Sequence, residues 1–202
     1  MCGLEFPNLV MQRYATKRFD GRPLPEDRVR QLLELVRYAP SGLNLQPWKI
    51  KVVTDPALKA QLLPATWNQS QVTTCSHLLV FCAAINPKEQ IEKVVAAMRK
   101  SGLSEEAITQ YTRSTKDFVV HVKPDQFRSW AQANVFLALS YALLGAKALG
   151  FDSCPMGGFD PEAYAKILKL PPAIIPTMLC ALGYAADTPH PKVRLPLEEI
   201  LI

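Results

Sequence analysis

The sequence predicts an α+β domain, with helices packed around a sheet of about four or five strands. Three observations carry this. From Glu26 to Tyr38, Val29, Leu32, Leu33 and Val36 recur with helical spacing and share one face. Lys49 to Val53 alternates and is rich in valine, while Leu78 to Ala84 is continuously apolar, the marks of a half-buried and a central strand. Ser129 to Leu149 reads as the longest helix, apolar nearly all round between Val135 and Leu144. Burial on all sides is expected there, and in a chain of this size that favours a helix shared between the core and a subunit interface.

The remaining elements follow from local signals. Residues 9–20 contain Arg13-Tyr14-Ala15-Thr16-Lys17-Arg18-Phe19-Asp20, cations interleaved with aromatics. On a helix the i, i+4 spacing would aim Arg13 and Lys17 the same way; a solvated turn is the alternative. Pro25 suits a first helical turn, Glu26 and Asp27 suit the positive end of the dipole, and that helix must end before Pro40. Asp55-Pro56 starts a short helix to about Leu63, and Trp67 to Gln71 is a loop or helix end. Asn86-Pro87-Lys88-Glu89 supplies a cap, a proline and an acid for a helix running to Lys100 and closing at Gly102. Ser104-Glu105-Glu106 opens another to about Phe118, so residues 87–128 read as a helical excursion beside the sheet. Gly150 ends the long helix, Phe151 to Pro155 is extended, and Met156-Gly157-Gly158 is a turn. Asp160-Pro161 caps a helix to Lys169, and Ile174 to Ala181 is a last core strand. No linker divides the chain, so residues 1–202 are expected to form one domain.

Composition excludes several function classes. Lys and Arg exceed Asp and Glu by only 5 and are scattered, whereas a nucleic-acid binder needs a concentrated basic face. Cys2, Cys75, Cys82, Cys154 and Cys180 are odd in number and form no CxxC pair. Neither a zinc site nor a disulfide framework is expected, and the reducing cytoplasm is the expected location. Met1-Cys2-Gly3-Leu4-Glu5 shows no leader pattern, and the most apolar stretch, Val135 to Leu149, is interrupted and too short for a membrane span.

Ala39-Pro40-Ser41-Gly42-Leu43-Asn44-Leu45-Gln46-Pro47-Trp48 stands out as a built loop. Its prolines fix φ and remove amide donors, and Gly42 permits positive φ. Ser41, Asn44 and Gln46 donate and accept hydrogen bonds without charge, as recognition of a flat, polar-edged heteroaromatic ring requires. Taken alone, an ordinary connection with a tryptophan packed under it explains the loop equally well.

In order along the chain come Arg13-Tyr14-Ala15-Thr16-Lys17-Arg18-Phe19, then Ala39-Pro40-Ser41 with Asn44 and Gln46-Pro47-Trp48. Gly150-Phe151 with Cys154-Pro155-Met156-Gly157-Gly158-Phe159 follows, then Gly183-Tyr184, then Lys192 with Arg194-Leu195-Pro196. This set resembles the FMN-dependent nitroreductase family over essentially the whole chain. The resemblance implies a sandwich with a central, mostly antiparallel sheet flanked by helices. It also implies a homodimer with the long helix and two FMN sites at its interface, and NAD(P)H as electron donor.

Carried over by motif, Arg13, Lys192 and Arg194 are implied phosphate ligands, since a phosphate dianion needs several positive donors. Without the other motifs, Lys192 and Arg194 are simply a basic tail. Tyr14 and Ala15 are implied beside that phosphate; many members have serine where Ala15 stands, so one hydroxyl contact is lost. Lys17 is implied at the flavin N1/O2 edge, where a fixed cation favours the reduced state. Asn68 is implied at the pyrimidine edge, and Gln71 stands where some members carry lysine. Pro155, Met156, Gly157 and Gly158 are implied over the central ring, with the Gly157 backbone N–H on N5. Pro40, Ser41, Gly42 and Asn44 are implied to reach the FMN held by the other subunit.

His77, His121 and His190 show no evident carboxylate or serine partner in the sequence and read as structural. The expected activity is ping-pong reduction of nitroaromatics, quinones or similar small aromatic acceptors. Residues 104–130, with Phe118, His121 and Phe127, are candidates for the acceptor's wall. Related reductive dehalogenases or flavin-cleaving enzymes, and an FMN-storage protein without turnover, are the alternatives.

Overall fold

Strands β1 (Trp48–Val53), β2 (His77–Ala84), β3 (Asp152–Met156) and β4 (Ile174–Gly183) form one antiparallel sheet in the order β1-β2-β4-β3. This computed structural model describes residues 5–202; Cys2 and the residues Met1 to Leu4 read for a leader lie outside them. β2 and β4 are central, which is why β2 is apolar on both faces and buried throughout.

The pleat divides the core in two. Leu79, Phe81 and Ala83 of β2, with Cys180 and Leu182 of β4, face α2 (Glu26–Arg37) and α7 (Pro124–Ala148). Leu78, Val80 and Cys82, with Leu179, Ala181, Cys154 and Met156, face α3 (Pro56–Leu62), α4 (Gln71–Thr74) and α8 (Pro161–Ile167) through Leu62, Val72 and Tyr164. Gly145 lets α7 lie against α2: a Cβ there would come within 2.8 Å of Leu32 Cδ1. Cys75, Cys82, Cys154 and Cys180 are buried free thiols. Among the described residues no helix is long and apolar enough to cross a membrane, and no cluster of His, Cys, Asp or Glu could hold a metal.

α5 (Pro87–Lys100) and α6 (Glu105–His121) form the expected excursion. Asn86 and Ser104 cap them as read, by accepting from Glu89 N and Ala107 N. α6 runs three residues further than expected and α7 starts earlier, at Pro124, where Gln126 Oε1 accepts from Lys123 N. α1 (Phe6–Gln12) goes beyond the elements read from sequence.

Two expectations are corrected. Residues 13–20 are neither a helix nor a solvated turn: Arg13 leaves α1 in an extended conformation, Ala15 bridges Ser153, and Phe19 bridges Ala185. Thr16 N donates to Ser153 O at 3.2 Å, Asp20 N to Tyr184 O at 3.0 Å and Ala186 N to Arg18 O at 2.8 Å. The segment is thus an added edge beside β3, and the Arg13–Lys17 spacing is not helical. Nor is α7 buried all round in one chain. Val135, Ala138, Leu139 and Ala142 are buried, while Phe136, Leu137 and Tyr141 on another side are exposed. The tail after β4 also exposes Val193, Leu195, Leu197 and Ile200.

Candidate functional site

The edge beside β3 gathers most of the expected residues. Arg13, Tyr14, Ala15 and Lys17 lie along it. The Trp67–Asn68 turn and α4 join it through Ser70, whose Oγ donates to Lys17 O at 3.4 Å. Trp67 and Asn68 both take positive φ, 52° and 59°, an uncommon turn for residues with a Cβ. Gln71, buried, directs Nε2 at Cys154 Sγ at 3.9 Å, at the middle of β3. Beyond Pro155 and Met156 the chain turns through Gly157 and Gly158, held by Gln69 Nε2 donating to Gly158 O at 2.8 Å. Lys192, far along the tail, returns to donate to Arg13 O. The Met156 side chain packs into the core, so only its backbone faces this edge.

Of the two glycines here, Gly158 is the one held to glycine by space. A Cβ on Gly158 would approach Trp67 Cζ3 to 2.8 Å, so the indole lies against bare backbone. Gly157 is looser: a Cβ there would stand 3.4 Å from Met178 Sδ.

The edge is electrically unbalanced. Among the described residues none of Arg13, Lys17, Lys192 and Arg194 pairs with a carboxylate. Desolvation, and then the charges of Arg13, Arg194 and Lys147, hold the Lys192 ammonium below the ordinary lysine range. Arg194 donates to Val193 O and has no hydrogen bond to the edge among the described residues.

The Pro40–Asn44 loop belongs to a second cluster. It sits on α7, where Gly42 N donates to Asn134 Oδ1 at 2.8 Å, and α6 reaches it through Tyr111 Oη donating to Leu43 O at 3.0 Å. Ser41 Oγ is used internally, accepting from Gln46 N at 2.9 Å. Positive φ falls on Leu43, Asn44 and Gln46, not on Gly42 as expected. Gly42 is needed for close approach: a Cβ would meet Trp130 Cζ2 at 2.5 Å. Among the described residues, no hydrogen bond joins the Pro40–Asn44 loop to the β3 edge.

Sequence reasoning missed Asn134, Tyr111 and Asp187. Asn134, a buried amide just before the apolar stretch Val135–Leu139, was the legible signal; the other two carry none in the local pattern. His77 is also corrected. It is buried, with Nδ1 2.9 Å from Ser76 Oγ and Nε2 3.1 Å from Glu26 Oε1, so it has both partners and ties the first turn of α2 to β2. Of the expected wall residues, Phe127 is in the core. Phe118 packs on Trp130 with ring centroids 5.5 Å apart, and exposed His121 bonds back to Asp117 O.

A sequence model of the nitroreductase family matches residues 10–184. A Thermus thermophilus protein named NADH dehydrogenase is 33% identical over 98% of this chain and 96% of its own length. A Bacillus subtilis protein named as a candidate NAD(P)H nitroreductase, YodC, is 30% identical over 96% of each chain. A solved Exiguobacterium sibiricum structure, a candidate nitroreductase in complex with FMN, superposes with a TM-score of 0.93 at 26% identity, covering 100% of this chain and 98% of that one. The chain belongs to the nitroreductase family, and its α+β architecture is the nitroreductase fold.

Proposed function

We propose that this protein is an FMN-containing, NAD(P)H-dependent oxidoreductase that reduces nitroaromatics, quinones or similar small aromatic acceptors. The observation that carries this reading is the set of unpaired cations along the β3 edge, beside a backbone turn bare of side chains. The donor set fits FMN. Arg13, Lys192 and Arg194 would hold the phosphate, whose charge relieves their mutual repulsion. Tyr14 and Ala15 would flank it. Lys17 would sit at the N1/O2 edge, and Asn68 and Gln71 at the pyrimidine side. Pro155 to Gly158 would lie over the ring, with the Gly157 N–H directed at N5.

When bound, FMN supplies the hydride and electron chemistry. The chain supplies position and charge: Lys17 stabilises negative charge at the ring edge, and the turn lets backbone approach closely. One cleft serves donor and acceptor in turn, which gives ping-pong kinetics.

Each site is completed by a second copy. Pro40, Ser41, Gly42 and Asn44 form a cluster apart from the cations, and the exposed Phe136, Leu137 and Tyr141 offer α7 as the joining surface. Each protomer is one domain spanning 1–202. The four buried free thiols suit the cytoplasm.

Mass spectrometry of the released cofactor, followed by anaerobic addition of NADH or NADPH, tests the reading. FMN that bleaches with a nicotinamide and recolours with a quinone or nitroaromatic is expected. FAD, no flavin, or a flavin that neither nicotinamide bleaches refutes it.

A further inference from the structure

Asp187 lies just past β4, outside the residues matched by the family model. Its carboxylate reaches back to the cationic edge. Oδ2 accepts from Lys17 N at 2.7 Å, and Oδ1 accepts from Tyr14 Oη at 3.0 Å. The main-chain oxygen of Asp187 is 3.2 Å from the same hydroxyl. Between these contacts Thr16 N is tied to Ser153 O at 3.2 Å. The edge is therefore fixed at three points in turn by side chain, strand and side chain.

A carboxylate near a phosphate site opposes the phosphate by its charge, so its benefit must lie elsewhere. The two arms pin both sides of the stretch between Arg13 and Lys17, which pairs with β3 at Ala15. Four steps of extended chain span at most roughly 14 Å, and any kink brings the two cations together. The cations of one FMN site must be kept apart, because its phosphate and its ring edge lie at opposite ends of the ribityl chain.

We propose that Asp187 is a positioning residue of the FMN site, a two-armed acceptor that sets the spacing of Arg13 and Lys17 by geometry and not by charge. This rests on the FMN reading above. The tyrosine reports on the contact. Burial raises the Tyr14 titration above the ordinary tyrosine value; the hydrogen bond and charge of Asp187 and the charge of Asp152 act in the same direction, and the Thr16 hydrogen bond opposes them.

FMN release from purified holoprotein, followed as recovery of flavin fluorescence, is the test. Asp187→Ala removes both arms and should speed release by about tenfold to a hundredfold, the loss expected for two hydrogen bonds of ordinary strength. Asp187→Asn removes the charge, keeps Oδ1 as the acceptor for Lys17 N and reverses the other arm, Nδ2 donating to Tyr14 Oη; release should stay within about threefold of the original. In Asp187→Asn the Tyr14 titration should also move down, read as tyrosinate absorbance against Tyr14→Phe. If Asp187→Ala is not recovered folded, Tyr14→Phe, which removes one arm, should speed release by about threefold or more. Release unchanged in Asp187→Ala, or in Tyr14→Phe where that variant decides, overturns the proposal. So does release from Asp187→Asn as fast as from Asp187→Ala, which would make charge the cause. Unaltered protein that carries no FMN sinks the FMN reading itself; FMN bound with these variants unmoved sinks this proposal alone.

Discussion

Gly42→Ala puts one methyl group against Trp130. The new Cβ would sit 2.5 Å from Cζ2, 3.1 Å from Cε2 and 3.3 Å from Nε1, so the whole indole edge is in the way. Gly42 does not have positive φ, so alanine is allowed by the backbone and lowers the entropy of the unfolded chain, worth about 0.4–1 kcal/mol in its favour. The steric term opposes this. Trp130 cannot swing freely, because Phe118 and Phe127 pack on it with centroids 5.5 and 5.4 Å away. Overpacking of this kind costs about 1–3 kcal/mol, so destabilisation wins. For a chain of this length 1 kcal/mol moves Tm by roughly 2–4 °C, which places the expected fall at a few degrees. The loop is the softer partner, so Ser41 and Asn44 should shift with it and FMN should leave faster. Gly157→Ala is the comparison for stability, since its Cβ meets Met178 Sδ at an ordinary 3.4 Å. Scanning calorimetry with tryptophan fluorescence reads the first effect and flavin release the second. A Gly42→Ala protein as stable as the original, with unchanged FMN release, would refute the reasoning.

Three further outcomes are expected. Lys192→Ala with Arg194→Ala should weaken FMN binding by about one to two decades without loss of fold, and an unchanged dissociation constant would return both residues to a basic tail. Because the Lys192 ammonium is already disfavoured before phosphate arrives, and phosphate stabilises it, binding should take up protons. FMN affinity should therefore fall as pH rises through an alkaline range starting below the ordinary lysine value, and this slope should flatten in the double variant. Mixing an inactive Asn44 variant with an inactive Arg13 variant under subunit exchange should restore activity through one intact shared site; no recovery would mean that each site is built within one chain.

The sheet and most helices were legible because their signals are local. β2 is apolar on nearly every residue, and Asn86-Pro87 and Asp160-Pro161 cap helices by bonds formed within three residues. Residues 13–20 were not legible for the opposite reason. Their backbone donors and acceptors go to Ser153, Tyr184 and Ala186, more than a hundred residues away, and an interleaved cation-aromatic pattern has no period that reports such pairing. The same holds for His77, read without a partner: Ser76 bonds it only through side-chain geometry at the start of β2, and Glu26 becomes a neighbour only through packing of α2 on the sheet.

The candidate site was legible as a set of residues and illegible as a geometry. Charge and glycine content mark Lys192 and Gly157-Gly158 in the sequence, yet what marks the edge as a candidate site is an absence among the described residues: no ion pair joins its cations to a carboxylate. That can be seen only once every neighbour is placed. The loop shows the converse. Its glycine was read for backbone freedom, while the structure uses Gly42 for contact with Trp130 and places positive φ on Leu43, Asn44 and Gln46. Around these three residues, Asn134 Oδ1 accepts from Gly42 N, Tyr111 Oη donates to Leu43 O and Ser41 Oγ accepts from Gln46 N, so side-chain oxygens hold the loop backbone at Gly42, Leu43 and Gln46. These partners, two of them on distant helices, fix a loop with positive φ at three residues, and Asn44 is exposed at its surface. A loop serving only as a connection needs none of this. Among the described residues no hydrogen bond joins this cluster to the cations, which is why the proposed function has a second copy of the chain bring the two halves together.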